Sequence, residues 1–423
     1  MRLQSAYRVL LAVTAGAAAA RGTALPSSLH MIESLMARGQ GVTSSGAVTG
    51  TLESGLLALA LADAVTHYPA SPPASRYADY LGRVLAAAAP DLRDAARDAT
   101  KPLDRFSIHT GIDAARRAVG GAQTAGEAVT AAYDAVNASL ALQARNPDGG
   151  LWYYVYPEWS YLDGLFSLLP FMAAATAPRP NYTDMVLQLR LVARHCYDDA
   201  SGLYFHGYDW ARKAVWADAA TGASPYVWGR SLGWFLAGLV QTWDALDCRR
   251  DERARGGSEG GGGDDERSAL CAEVKRIVGA AAPRLVSYAD GETGVWWQLP
   301  TVGAARPGNF LESSSTALFV FSLLKARRLG LLAGAGGARC CGAGCGDGDT
   351  IRRAALRAYD YTRERFVTDT GNGTIGFDKT VAVCSLNSTA TFEYYTSRPL
   401  VPNGLLGEAA FVLASLEVEK LSV

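Results

Sequence analysis

Twelve amphipathic segments run the length of the chain, and every second one is more apolar than its neighbours. They fall near 28–40, 51–66, 76–89, 108–120, 124–142, 161–176, 181–197, 228–246, 267–286, 311–328, 350–366 and 405–419. Apolar residues in each recur at three- and four-residue spacing, the period of a helix with a buried face. The more apolar set is 51–66, 108–120 (the weakest), 161–176, 228–246, 311–328 and 405–419, while the others carry more Arg, Asp and Gln. Alternation of fully buried with half-exposed helices describes an inner ring wrapped by an outer one. The fold expected is therefore all-α, an (α/α)6 barrel of six helical hairpins. Short strands are expected in loops around 202–206, 294–299 and 374–382, where aromatic and β-branched residues sit between turn signals.

Composition agrees with one large core. The 423 residues are 49% hydrophobic and 19% charged, which excludes wholesale disorder, a collagen-like chain and a small disulfide scaffold. Forty Lys+Arg against 41 Asp+Glu give a net charge of -1, so the totals indicate no basic nucleic-acid surface. No linker separates two cores, and a single domain is expected over 25–423. Many of the 45 glycines lie in low-complexity insertions near 249–268 and 333–349. Neither insertion is a phosphate cradle, because neither ends in Gly-Lys-Ser/Thr. The 19 Tyr and 9 Trp suit a core and equally a site that stacks on sugar rings.

The first 24 residues read as a secretory signal. Arg2 and Arg8 precede an apolar run from Val9 to Ala20, and small residues follow up to Ala24. That run is too short to span a bilayer, and no later segment reaches roughly 18 uninterrupted apolar residues. Asn137, Asn181, Asn372 and Asn387 each begin an Asn-x-Ser/Thr glycosylation pattern. An extracellular glycoprotein is expected on both grounds. Seven cysteines leave at least one thiol unpaired within the chain. Cys248 and Cys271 flank the first insertion, so a bridge closing it is one option among several. Cys340, Cys341 and Cys345 lack a matching CxxC, and the five histidines show no HxxxH spacing, so no metal site is expected.

Each inner helix carries a polar residue in or near its first turn: Glu53, Asp113, Asp163, Arg230, Glu312, and Asn403 with Glu408. In a barrel of hairpins all six inner N-termini open on one end, where these side chains would meet. Acids near helix N-termini are also favoured by capping and the helix dipole alone. Arg230 is disfavoured by that dipole, and so calls for an acidic partner or an anionic ligand.

Three stretches are more specific: Trp159-Ser-Tyr-Leu-Asp-Gly-Leu-Phe166, the run from His206 through Thr221-Gly-Ala-Ser-Pro-Tyr-Val-Trp-Gly-Arg-Ser-Leu-Gly-Trp234, and Trp296-Trp-Gln298 followed by Asn309-Phe-Leu-Glu-Ser-Ser-Ser-Thr316. Here the chain resembles the unsaturated rhamnogalacturonyl hydrolases, glycoside hydrolase family 105. The resemblance covers roughly residues 50 to 420. It implies the same six-hairpin barrel and a secreted hydrolase of unsaturated uronyl oligosaccharides from plant cell walls. Such an enzyme protonates the 4,5 double bond at C4 and adds water at C5, releasing the attached sugar as the hemiketal collapses. No cofactor is implied, and the partner is an oligosaccharide, with neither nucleic acid nor membrane.

Position by position, Asp163 matches the family's general acid and base, and Asp113, in Gly111-Ile-Asp-Ala-Ala-Arg-Arg-Ala118, matches its second acid. His206, Trp228, Arg230 and Trp234 match substrate-contacting positions. Trp216 and Asp218 would shape the same loop or serve structure alone. The chain departs from the family at Tyr153-Tyr154, where a His-Lys pair is usual, and at Thr51-Leu-Glu53, where the entry is usually rich in aromatics. Two alternatives stay open: a carbohydrate-binding protein that has lost catalysis, and a hydrolase of saturated uronosides.

Overall fold

The computed structural model describes residues 25–47, 49–71, 73–121, 126–174, 180–249, 265–332 and 348–422. The expected signal segment, most of both insertions, and Cys340, Cys341 and Cys345 lie outside the described residues. Among the described residues twelve long helices form where the periodicity places them: α1 Ser27–Ala37, α2 Gly50–His67, α3 Ala74–Ala88, α4 Phe106–Val119, α5 Glu127–Ser139, α6 Gly164–Ala174, α7 Tyr182–Cys196, α8 Gly229–Ala245, α9 Asp265–Ser287, α10 Ser313–Arg328, α11 Gly348–Arg365 and α12 Leu405–Glu419. Among the described residues the short helices Ala95–Asp98 and Phe392–Thr396 sit in connections.

The even-numbered helices form the inner ring. Each packs on the next, α2 on α4, α4 on α6, α6 on α8, α8 on α10 and α10 on α12, and α12 returns to α2 to close the circle. Burial follows the sequence pattern. Helix α12 buries every residue from Leu405 to Glu417. Outer helix α11 buries only Ile351, Ala355, Ala358, Tyr359 and Thr362, one helical stripe, and turns its arginines away from it. Small residues allow the inner helices to touch. A Cβ at Gly238 on α8 would lie 2.5 Å from the carbonyl oxygen of Leu165 on α6.

Among the described residues three two-stranded antiparallel sheets lie in the loops. Strand β1 (Trp159–Tyr161) pairs with β4 (Gly207–Asp209), β2 (Tyr197–Asp198) with β3 (Leu203–Tyr204), and β5 (Val367–Asp369) with β6 (Ile375–Phe377). The stretch 294–299 forms only an isolated bridge, Trp297 to Leu311. Cys248, just after α8, is bridged to Cys271 on α9, with Cα atoms 5.7 Å apart. Cys196 and Cys384 are buried free thiols. No helix among the described residues is long and apolar enough to cross a membrane.

Candidate active site at the barrel mouth

The inner helices all start at one end of the barrel, and a cavity of about 800 Å³ opens there. Glu53, Lys101, Tyr154, Arg230, Val381 and Asn403 are among the residues lining it. Beside it lies a buried polar centre built on β1, β4 and the start of α8.

Asp163 occupies the two-residue gap between β1 and α6. The β1–β4 pairing fixes where it points, since Tyr161 sits opposite Gly207 and the Leu162 N–H donates to the His206 carbonyl at 3.0 Å. Gly207 is required at that crossing, because a Cβ there would lie 2.6 Å from the Ser160 carbonyl oxygen. The Asp163 carboxylate accepts a hydrogen bond from Ser231 Oγ, and His206 Nε2 stands 3.3 Å from its Oδ2. The imidazole is held from its other side, with Nδ1 2.8 Å from the Tyr395 hydroxyl. Burial pushes that phenol's pKa far above its ordinary value, so it keeps its proton for Nδ1. In the tautomer where Nδ1 accepts from that phenol, the imidazole proton sits on Nε2 and faces the acid. Trp228, the residue capping α8, lies over the imidazole with ring centroids 4.7 Å apart and donates its indole N–H to Gln298 Oε1 at 3.1 Å.

A second carboxyl faces this centre, and it is Asp104 rather than Asp113. Asp104 lies in the 3-10 turn Leu103–Arg105 that leads into α4. Its Oδ2 accepts the Tyr153 hydroxyl at 2.9 Å, and its Oδ1 is buried without a partner. Burial, and then the charge of Asp163, raise its pKa to about 7, against the smaller opposing pull of Tyr153 and Arg105. A carboxyl that keeps its proton to neutral pH accounts for the bare Oδ1. Asp113 is the eighth residue of α4, about 10 Å further along the axis at 1.5 Å per residue. Its neighbours are His109 at 3.4 Å, Arg116 at 3.7 Å and Tyr133 of outer helix α5, so it faces the space between the rings. The short match around Asp113 pointed too deep. The signal for Asp104 was Pro102-Leu-Asp, where proline ends the preceding segment just ahead of an inner helix.

Two further expectations change. Trp234 is 1% exposed on the second turn of α8 and packs on Phe166 in the barrel core, away from the cavity. Arg230 does line the cavity, but neither an acid nor a ligand is needed to explain it. Its guanidinium donates to the carbonyls of Val381 and Ala382 and to Ser314 Oγ, which straps the 380–383 segment over α8. The other first-turn acids divide. Glu53 lines the cavity and accepts from Ser45 and Thr49. Glu312 caps α10, and Glu408 is buried against Arg38. Asp218 accepts from the amides of Ala220 and Thr221 and shapes its own turn. No cluster of metal-ligating side chains occurs among the described residues.

Residues 122–422 match the profile of Glycosyl Hydrolase Family 88. The chain belongs to that family. It is 31% identical over 258 residues to the "24.9 kDa protein in picA locus" of Rhizobium radiobacter, covering 59% of this chain and 97% of the relative. An Agrobacterium fabrum protein matches to the same extent. Among solved structures, a family 105 glycoside hydrolase from C. acetobutylicum superposes with a TM-score of 0.75 at 23% identity, covering 94% of this chain and 100% of that one. An unsaturated glucuronyl hydrolase specific for heparin gives 0.57 at 12% identity, covering 88% and 86%. At such identities the superpositions speak for the six-hairpin fold. Family 88 membership makes the protein a glycoside hydrolase, and the acids at its barrel mouth are where its chemistry is sought.

Proposed function

We propose that this family 88 hydrolase removes a 4,5-unsaturated uronic acid from the non-reducing end of lyase-generated cell-wall oligosaccharides, by hydrating the double bond. The observation that carries the reading is the setting of Asp163. It is a carboxyl 8% exposed, held by Ser231 and faced by His206, with a second, proton-holding carboxyl alongside. Displacement at an anomeric carbon uses two carboxyls on opposite sides of the scissile bond. Here the second carboxyl is bonded by Tyr153, whose ring stacks at 4.3 Å on Tyr161, two residues before Asp163.

The step balances on one acid. In its protonated form Asp163 gives its proton to C4, and the enol-ether electrons leave a cation at C5 stabilised by the ring oxygen. The carboxylate so formed takes a proton from water as the hydroxyl adds to C5. The C5 hemiketal opens to a ketone, which leaves C1 as a hemiacetal that collapses to an aldehyde and releases the attached sugar. Ser231 and His206 both stabilise the Asp163 carboxylate once formed. A neutral Asp104 permits that charge to develop, whereas an ionised one would oppose it. Two features support export. A disulfide is characteristic of oxidising compartments, and all four sequon asparagines are exposed. The reading is tested with a matched pair of oligosaccharides, saturated and unsaturated at the terminal uronate. Release of the second sugar from the unsaturated member alone is expected, and equal release from both would overturn it.

A further inference from the structure

Tyr154 belongs to the cavity wall, and from it a chain of rings leads outward along the mouth. The Tyr154 and Tyr156 centroids are 5.4 Å apart, Tyr156 and Trp159 5.1 Å, and Trp159 and Trp216 5.1 Å. The first three rings are half-buried, so each keeps an open face or edge, and Val155 among them is 48% exposed. Trp216 anchors the far end, its indole N–H donating to the Leu386 carbonyl at 2.7 Å.

The segment carrying these rings is braced. Tyr153 N–H donates to the Trp159 carbonyl at 2.8 Å, and β1 ties Trp159 to Asp209. Asp209 in turn accepts from the amides of Ala211, Lys213 and Ala214, which fixes the adjoining loop. That loop exposes Arg212 and Lys213, a few residues ahead of Trp216 in the sequence, with Arg212 also within reach of Asp218. A rigid, half-exposed row of rings with cations on the adjoining loop has the chemistry of a surface for acidic sugar chains: ring faces take pyranose faces, and cations take carboxylates.

We propose that the rim loops 153–159 and 209–217 form a glycan-binding surface, continuous with the cavity, that holds the acidic chain beyond the leaving sugar. The surface extends the proposed function, on which it rests, by naming the substrate as an oligosaccharide longer than a disaccharide. The rings meet at angles of 86°, 39° and 72° in turn, so they offer edges and faces in several directions, and Tyr154 on the cavity wall gives the chain a continuous path.

The test compares kcat/KM on an unsaturated disaccharide and an unsaturated tetrasaccharide from one acidic polysaccharide, for the wild type, Tyr156→Ala and the double variant Arg212→Gln with Lys213→Gln. The wild type is expected to favour the tetrasaccharide by about tenfold, the worth of one or two stacked rings. Tyr156→Ala should lose most of that preference while disaccharide turnover stays within about twofold. The double variant, at exposed positions that leave packing intact, should weaken the preference and flatten its salt dependence. Equal wild-type rates on the two lengths, or equal losses on both in the variants, would overturn the proposal. If the wild type turns over neither substrate, the proposed function fails and the surface is judged by calorimetry with the same tetrasaccharide. Binding weakened by Tyr156→Ala then retains it, and absence of binding refutes it.

Discussion

Two carboxyls at one mouth divide the work by environment. Asp104, with its pKa raised to about 7 by burial and by Asp163, should lose its proton near neutrality, and activity should fall on the alkaline side as it does. The same shift has a sign for stability. A carboxyl whose folded pKa stands above its unfolded value favours the fold when protonated, and that contribution is lost as pH rises through the folded pKa. Glu408, raised to about 7 by burial against the pull of Arg38, adds to it. Unfolding free energy should therefore decline between about pH 4 and 7. Asp104→Asn removes the ionisable group and should gain stability at pH 8, on the order of 4 kcal/mol at most. It should lose activity at every pH, a split that denaturant titration and kinetics together would read. At this scale the sequence was informative where a motif was long. Asp163, His206 and Trp228 meet as their two motifs implied, whereas Asp113 rested on a few residues and Asp104 stands at the centre in its place.

Elements are set by their ends and by their closest crossings. Glu312 caps α10 through Ser315 N–H at 2.6 Å and also accepts from Val381 N–H at 3.0 Å, so one buried carboxylate joins a helix start to the loop that Arg230 straps. Glu312→Ala leaves both amides buried and unpaired and should cost about 3 kcal/mol, with Glu312→Gln costing less. A separate control is Gly238→Ala. Its Cβ meets backbone rather than a flexible side chain, so α6 and α8 must move apart and stability should fall by about 1–3 kcal/mol in thermal or denaturant unfolding. The helices themselves were legible because periodicity is a local signal. Their polar first turns were harder to read, since a cap, a strap and a catalytic acid share the same residue types. Trp234 shows the limit well. Its motif neighbours line the site, but one further helical turn carries it into the core.

Taken whole, the barrel closes by inner helices alone, and the outer ring and loops complete it. Alternating hydrophobicity announced that architecture because inner and outer helices need different amounts of apolar surface. The loop layer over the mouth, with its aromatic cluster of Tyr161, Trp216, Trp228 and Tyr395, was not legible, since its contacts join segments far apart in sequence. The Cys248–Cys271 bridge acts at this scale too, joining consecutive inner and outer helices across a separation of 23 residues. Reduction should lower stability by about 3 kcal/mol, seen as an earlier unfolding midpoint, while the native fold keeps its activity. The central claim is that Asp163 protonates a carbon–carbon double bond. It is tested most directly by following the ultraviolet absorbance of an unsaturated uronyl oligosaccharide with the wild type and Asp163→Asn side by side. The account predicts that the wild type bleaches the chromophore as the second sugar is released, and that the variant does so slower by roughly 10²–10⁴-fold. Bleaching at an unchanged rate by the variant, or sugar release by the wild type with the chromophore intact, would contradict it.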